Sequence, residues 1–529
     1  MSEQLSKLIS LINTNNFQQA EKEVKQAILS DPESFNLNKI LGISLLAQKK
    51  YNSALPIFNK CYNIKNDDYD INVNISYLFL KTQEYELVIK FANEAIEVNP
   101  DGASAYQNLA ECYLALGKFK EAEKNSSKAI ELRGGALSDE VIVFADLINT
   151  HADSLIAQKK DQVFIDFAKK ILDTGSYQSD LFKKLLRNNK NNIEKKYIDV
   201  VENVIKKKNQ FKNLMQQNSF CASAHFCLGE YYSKDDQTKS EENFIAGNRY
   251  ISDMQRQSLF KRQKEYLNLI NFFKSFDQSS IINQIPSDKG TGLIFITGMP
   301  RSGTTLTESI LATSPDVAAG GEKVFFAINL SPLVSNLEKH DFDIDFFKDL
   351  GDRYLKNIRL HRDQKKFFID KLPENYLYYN FIKLALPGAK FIHLQRDPWD
   401  NAISLFKEFY AESIYFASSF FGIAIEIANH DFITNCWKKQ KGKQKILTVN
   451  YESLVSDTDK IVEELWSFCE LTGKYIPDER KNHFAATASK QQVTQEIFKS
   501  SMKKQEFLGY REKFYENLRD QKKYLESKV

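Results

Sequence analysis

Aromatic side chains at Phe17, Tyr51, Tyr85 and Phe119 recur every 34 residues, and this period constrains the fold more than any other feature of the chain. Small or slender residues keep the same step: Ala20, Ala54, Val88 and Ala122 form one series, and Ala27, Cys61, Ala95 and Ala129 another. A period of this length reads as two antiparallel helices per unit. The small residues let helices approach closely, and the aromatic ones fill between them. Leu41-Gly42 and Leu109-Ala110 fall on first helices, and Pro32 and Pro100 fall where units end. No unit can bury its apolar face alone, so the units must stack into a solenoid with a concave side.

The pattern frays over residues 137–217, which are helical by periodicity but irregular, as degenerate repeats or a helical connector would be. The lysine- and asparagine-rich patch from Arg187 to Lys208 reads as a solvated helix face. Ala224-His-Phe-Cys-Leu-Gly-Glu-Tyr-Tyr232 restores the repeat register and, with Phe244-Ile-Ala-Gly-Asn248, forms a last helical hairpin. A long helix over about 250–276 then leads to a linker at 279–292 that contains Pro286 and Gly290.

A different kind of signal follows. Gly298-Met-Pro-Arg-Ser-Gly-Thr-Thr305 has the spacing of the phosphate loop G-x-x-x-x-G-K-[ST], with Thr304 in place of the lysine. Leu293-Ile-Phe-Ile-Thr297 before it reads as a short buried strand, and Leu306 to Ser314 as the helix after it. Backbone N–H groups of such a turn point at an anion. A nucleotide triphosphatase needs the missing lysine on its β- and γ-phosphates. A donor with a single 5′-phosphate carrying another terminal group fits better, with Arg301 facing it. The alternative readings are a mere capping turn and a nucleotide kinase, in which Phe367-Phe-Ile-Asp370 would be the magnesium-binding strand.

Pro300-Arg-Ser-Gly-Thr-Thr305 resembles the 5′-phosphosulfate loop of sulfotransferases that use 3′-phosphoadenosine 5′-phosphosulfate (PAPS). Phe391-Ile-His-Leu-Gln-Arg-Asp-Pro-Trp-Asp-Asn-Ala-Ile-Ser404 resembles their second signature, in which an arginine and a serine eight residues later hold the 3′-phosphate. Here these are Arg396 and Ser404; the bland alternative is a surface ion pair between Arg396 and Asp397. Asp370-Lys-Leu-Pro-Glu-Asn375 is similar to a stretch of the sulfotransferases fused to tetratricopeptide repeats, and Asn450-Tyr-Glu-Ser-Leu-Val455 to their Tyr-Glu-x-Leu-Val turn. The segment 487–501 looks like their cofactor-covering loop, with Gln495 and Glu496 where relatives usually have a basic residue and proline.

The resemblance implies a multidomain chain: an all-α tetratricopeptide solenoid at 1–136, a helical connector at 137–278, and an α/β P-loop-like sulfotransferase domain with a central parallel sheet at 290–529. It implies PAPS as co-substrate, held by Arg301, Ser302, Gly303, Thr304, Thr305, Arg396, Ser404 and Tyr451, without a metal. Sulfuryl transfer builds charge on the leaving oxygen and the sulfonate oxygens, so cations and N–H donors matter there. Arg301 and Lys371 are the candidates, Lys371 by likeness to the tyrosylprotein branch, with Ser489 a weaker one. The acceptor hydroxyl must lose a proton, and Glu322 in Ala319-Gly-Gly-Glu322 matches the catalytic glutamate of that branch. Other branches use histidine, for which His393 and His361 are available.

The acceptor stays open between a peptide or protein hydroxyl, tyrosine included, held beside a solenoid groove, and a saccharide or small molecule. A non-catalytic adaptor is the third possibility. The 529 residues suffice for a solenoid and one α/β domain. A net charge of +3 argues against nucleic acid. Six cysteines lack metal-ligand spacing, no run is long enough to span a membrane, and the first residues lack a signal-peptide core, so a cytoplasmic protein with reduced thiols is expected.

Overall fold

The computed structural model describes residues 3–134, 145–175, 177–189, 193–211, 213–252, 256–410, 414–439, 446–480 and 505–528. The expected covering loop at 487–501, with Ser489, Gln495 and Glu496, lies outside the described residues. The chain divides into two compact units, Met1–Thr174 and Gly175–Val529.

The described part of the first unit holds ten helices: Glu3–Asn13, Phe17–Ile28, Phe35–Ala47, Tyr51–Ile64, Tyr69–Lys81, Tyr85–Val98, Ala103–Ala115, Phe119–Leu132, Ala145–Ala157 and Asp161–Leu172. Each periodic aromatic begins the second helix of a hairpin. Two residues before each of them the backbone turns left-handed, at Asn15, Lys49, Gln83 and Gly117, with φ between 58° and 72°. The period is therefore written in the backbone as well as the side chains. Ala20, Ala54, Cys61, Val88, Ala95, Ala122 and Ala129 are fully buried, as interhelical spacers must be.

The same left-handed turn recurs at Lys159, between the last two helices, which form a fifth hairpin. Its spacing of 42 residues from Gly117 hides this unit from a 34-residue register. Helices approach closely at Gly42, where an added Cβ would lie 2.7 Å from a ring carbon of the fully buried Phe58. Gly42→Val is expected to cost about 1–3 kcal/mol through overpacking, read as a fall in the thermal midpoint.

In the second unit, helices Leu214–Tyr232 and Gln237–Ser252 form the expected hairpin. It is built into the core that follows. Phe226 and Phe244 pack in one apolar cluster with Trp399, Phe406, Phe420 and Phe514, and the Asn248 amide donates to the Phe406 carbonyl at 2.8 Å. Helix Arg256–Ser275 does likewise: Tyr266, Leu269, Ile270 and Phe273 join the core on one face of the sheet. The stretch read as a linker contributes Ile281 and Ile285 to that core, both almost fully buried. The charged patch exposes Lys195, Lys196, Lys206, Lys207 and Lys208 and has an apolar side as well. Helix Lys195–Lys206 buries Tyr197, Ile198 and Val201, because an amphipathic helix with many lysines still has an apolar stripe to cover.

Five parallel strands form the sheet: β1 Leu293–Gly298, β2 Val317–Ala319, β3 Phe367–Asp370, β4 Lys390–Gln395 and β5 Ile446–Asn450. Their order is β2-β3-β1-β4-β5. Leu293, Phe295, Phe368 and Phe391 point into one core, and Ile294, Ile296, Ile369, Ile392 and Leu394 into another. A sheet covered on both faces needs such continuous apolar strands. The chain leaves β1 for one side, then crosses to the other for β4 and β5. That reversal opens a crevice at the carboxyl ends of the strands, where open α/β sheets bind ligands.

Candidate active site

The phosphate-loop sequence forms a tight turn between β1 and helix Thr304–Leu311. Gly303 is the N-cap, at φ +103°, and no side chain caps the helix. The capping-turn alternative thus lacks its hydroxyl bond. Arg301 takes the left-handed region at φ +68°, a conformation a bulky residue adopts only where its surroundings require it. Ser302, Thr304 and Thr305 are buried, and the Ser302 hydroxyl has no hydrogen-bond partner among the described residues. An unsatisfied buried hydroxyl is costly, and an anion's oxygen would relieve it. These features fit a phosphate-bearing donor.

Gly303 is required for a second reason: an added Cβ would lie 2.5 Å from Cδ2 of Tyr451. We expect Gly303→Ala to lower both the thermal midpoint and affinity for an adenosine phosphate, since the left-handed φ and the tyrosine ring both oppose a side chain. Tyr451 also supports Arg396, whose guanidinium carbon lies 4.3 Å from the ring centroid. Arg396 Nη1 donates to the Arg301 carbonyl at 2.8 Å, so the two signatures touch directly. Burial holds the Arg396 pKa below the usual guanidinium value, as for a cation removed from water. Asp397 caps helix Pro398–Phe406 by accepting from the Trp399 and Asp400 amides. On that helix the Asn401 amide donates to the Pro300 carbonyl at 2.9 Å, and Ser404, one turn on, is buried on the same side. A cavity of about 260 Å³ is lined in part by Ser302, Arg396, Asn401 and Glu452.

Across the sheet, on the β2–β3 side, Lys371 follows β3 and Glu322 follows β2. Lys371 is fully buried, and its Nζ donates to Glu322 Oε1 at 2.7 Å. Glu322 keeps 40% of its side chain exposed, so it alone of the pair opens to solvent. A third charged group, absent from the sequence reading, stands behind them. Glu308 on the loop helix is 1% exposed, accepts from the Gly321 amide at 2.9 Å and places Oε2 4.0 Å from Lys371 Nζ. Its only sequence signal is a carboxylate on an otherwise apolar and hydroxylic helix.

The remaining candidates are packed elsewhere. His393 is buried in β4 with Nε2 3.0 Å from His430 Nε2, and burial pushes its pKa well down. His361 is half-buried beside Lys323, and desolvation followed by that ammonium lowers its pKa well below the ordinary value. Asp370, at the end of β3, accepts from Tyr354 at 2.8 Å and Asn375 at 3.0 Å, and burial pushes its pKa up to about 7. Tyr410 escaped the sequence reading. Its hydroxyl is buried without a hydrogen-bond partner among the described residues, and burial raises its pKa with Arg301, Glu408 and Glu322 acting on it.

All five strands thus deliver a candidate residue at their carboxyl ends, in the spatial order Glu322, Lys371, phosphate loop, Arg396, Tyr451. An α/β domain with a phosphate loop on its central strand and cations on both sides defines an anion-binding transferase-like site. Residues 294–475 match the model of the sulfotransferase family, and residues 6–70 and 91–124 match tetratricopeptide repeat models. The chain carries tetratricopeptide repeats followed by a sulfotransferase-family domain.

An uncharacterized protein of Aquifex aeolicus is 32% identical over 228 residues, covering 40% of this chain and 30% of that protein. Hsp70-Hsp90 organizing protein 3 of Arabidopsis thaliana is 32% identical over 104 residues, 18% of this chain and 19% of that protein. The chain therefore spans less than a third of either relative. Among solved structures, a tetratricopeptide repeat protein from Parabacteroides merdae aligns with a TM-score of 0.35 at 15% identity, over 47% of this chain and 92% of that one. PilF of Pseudomonas aeruginosa aligns with a TM-score of 0.33 at 14% identity, over 45% of this chain and 94% of that one. Among the described residues no helix is long and apolar enough to cross a membrane.

Proposed function

We propose that the second unit transfers a sulfuryl group from PAPS to an acceptor hydroxyl, with a peptide tyrosine as the leading acceptor. On this reading the repeats bind a protein or peptide partner, and the protein works without a metal in the cytoplasm. The observation that carries the reading is the order of side chains along the strand ends. The Glu322–Lys371 pair lies on one side of the phosphate loop and the Arg396–Tyr451 pair on the other. An extended donor with phosphates at two positions fits such a layout, its reacting end toward Lys371 and its 3′-phosphate toward Arg396 and Ser404.

When bound, PAPS supplies an electrophilic sulfuryl group whose bond to a phosphate oxygen breaks as the acceptor oxygen bonds to sulfur. The residues of the chain have separable tasks. Glu322 takes the acceptor's proton, being the exposed member of its pair. Lys371 has three N–H donors and spends one on Glu322, leaving others for negative charge on the leaving oxygen. Arg301 and the loop amides hold the 5′-phosphosulfate region, with the Thr304 and Thr305 hydroxyls beside them. Among the described residues no disulfide joins the six cysteines.

The kinase alternative fares worse. Both carboxylate oxygens of Asp370 are occupied by Tyr354 and Asn375, so this side chain is not offered to a metal at the loop. Calorimetric titration with 3′,5′-adenosine bisphosphate, alongside ATP with magnesium, tests the assignment. Binding of the bisphosphate with indifference to ATP is the expected result. A preference for ATP and magnesium overturns it.

A further inference from the structure

Helix Ser179–Asn188, more than a hundred residues before the phosphate loop, reaches the loop arginine through one carboxylate. Arg301 Nη1 lies 4.0 Å from Glu408 Oε2, and Arg187 Nη2 lies 3.9 Å from the same oxygen. Arg187 is itself held by Glu230 through two N–H groups, Nη2 at 2.9 Å among them. Charges therefore alternate along a row: Glu230, Arg187, Glu408, Arg301. The two members nearest the loop are well out of water, Glu408 with 12% and Arg301 with 8% of the side chain exposed, so each charge is felt more strongly than at an open surface. Neither contact to Glu408 is short enough for a hydrogen bond, so the carboxylate is shared between two cations rather than locked to one.

The segment that carries Glu408 is fixed from the same helix. Lys183, one turn before Arg187, is 7% exposed, and its ammonium lies 5.2 Å from the Phe409 ring and 5.8 Å from the Phe226 ring. Lys183 and Arg187 thus present two cations to residues 408 and 409, and the helix determines where the Glu408 carboxylate stands.

We propose, building on the donor reading above, that Glu408 is a counter-carboxylate competing with the donor for Arg301. Arg187 is then a positioning residue that draws Glu408 away and so raises donor affinity. An anionic donor at Arg301 meets the like charge of Glu408, and the Arg187 guanidinium offsets that repulsion. Without Arg187, Arg301 is the nearest cation to Glu408 among the described residues and pairs with it more tightly. Without the Glu408 charge, Arg301 is released to the donor, and Arg187 ceases to matter. The helical segment that joins the repeats to the sheet thereby contributes a residue that sets donor affinity.

The test is calorimetric titration of the full chain and its variants with 3′,5′-adenosine bisphosphate at one low ionic strength, with thermal unfolding to verify folding. Arg187→Ala is expected to weaken binding about fivefold or more, and Glu408→Gln to tighten it about threefold or more, the scale of one partly buried charge contact. The double variant should match Glu408→Gln alone. Opposite signs are what a merely structural role would not produce. Unchanged affinity in both variants, or weakening in both, overturns the proposal while leaving the donor reading intact. If Arg187→Ala does not fold, the Glu408→Gln result decides by itself: tighter binding supports the proposal and equal or weaker binding overturns it. Failure of the wild-type chain to bind the bisphosphate overturns the donor reading and this inference with it.

Discussion

Glu322→Gln is expected to lower kcat about a hundredfold or more, while the Kd for 3′,5′-adenosine bisphosphate stays within about twofold of wild type. The substitution keeps a carbonyl oxygen where Lys371 now donates at 2.7 Å, so the buried ammonium retains a hydrogen-bond acceptor. Glu308 Oε2 remains 4.0 Å from that ammonium, so Lys371 also keeps an anionic neighbour. What disappears is the capacity to take a proton from the acceptor. Turnover of a tyrosine peptide with PAPS, set beside calorimetric binding of the bisphosphate, separates the two effects. Near-normal turnover would move the base elsewhere. A parallel loss of binding would make Glu322 part of the donor cradle.

Arg396→Ala is expected to weaken the bisphosphate by about 1.4–2.7 kcal/mol, tenfold to a hundredfold, with adenosine 5′-monophosphate much less affected. The difference between the two ligands is the 3′-phosphate, and a buried guanidinium is the side chain suited to grip it. A smaller common loss is also expected. Arg396 holds the Arg301 carbonyl and lies over Tyr451, so its removal loosens the phosphate loop for any ligand. Equal losses for both ligands would show that Arg396 serves the loop and not the 3′-phosphate.

Much of this organisation is legible in the sequence. The 34-residue step identified the repeats because one aromatic and two small positions per unit are fixed by helix packing, whatever the surrounding residues. The loop from Gly298 to Thr305 was legible because its glycines meet backbone demands that other residues cannot: at Gly303 a left-handed φ combines with contact against a tyrosine ring. β1 was recognisable as an unbroken apolar run, since both faces of the sheet are covered. The fifth hairpin was not, because its wider spacing breaks the register. Nor were Ile281 and Ile285 legible as core residues, since a turn-rich stretch reads as a linker until something packs over it.

The sequence by itself therefore determined the two architectures and the local chemistry of each loop, because helix period, strand burial and left-handed turns are properties of neighbouring residues. Only the tertiary structure decided which charges meet. Glu308 stands behind Lys371 because the loop helix runs beside the end of β3. Glu408 stands between Arg301 and Arg187 because a helix over a hundred residues away packs against the segment after helix Pro398–Phe406. Such pairings depend on strand order and helix packing across long stretches of chain, and they leave no periodic trace in the sequence.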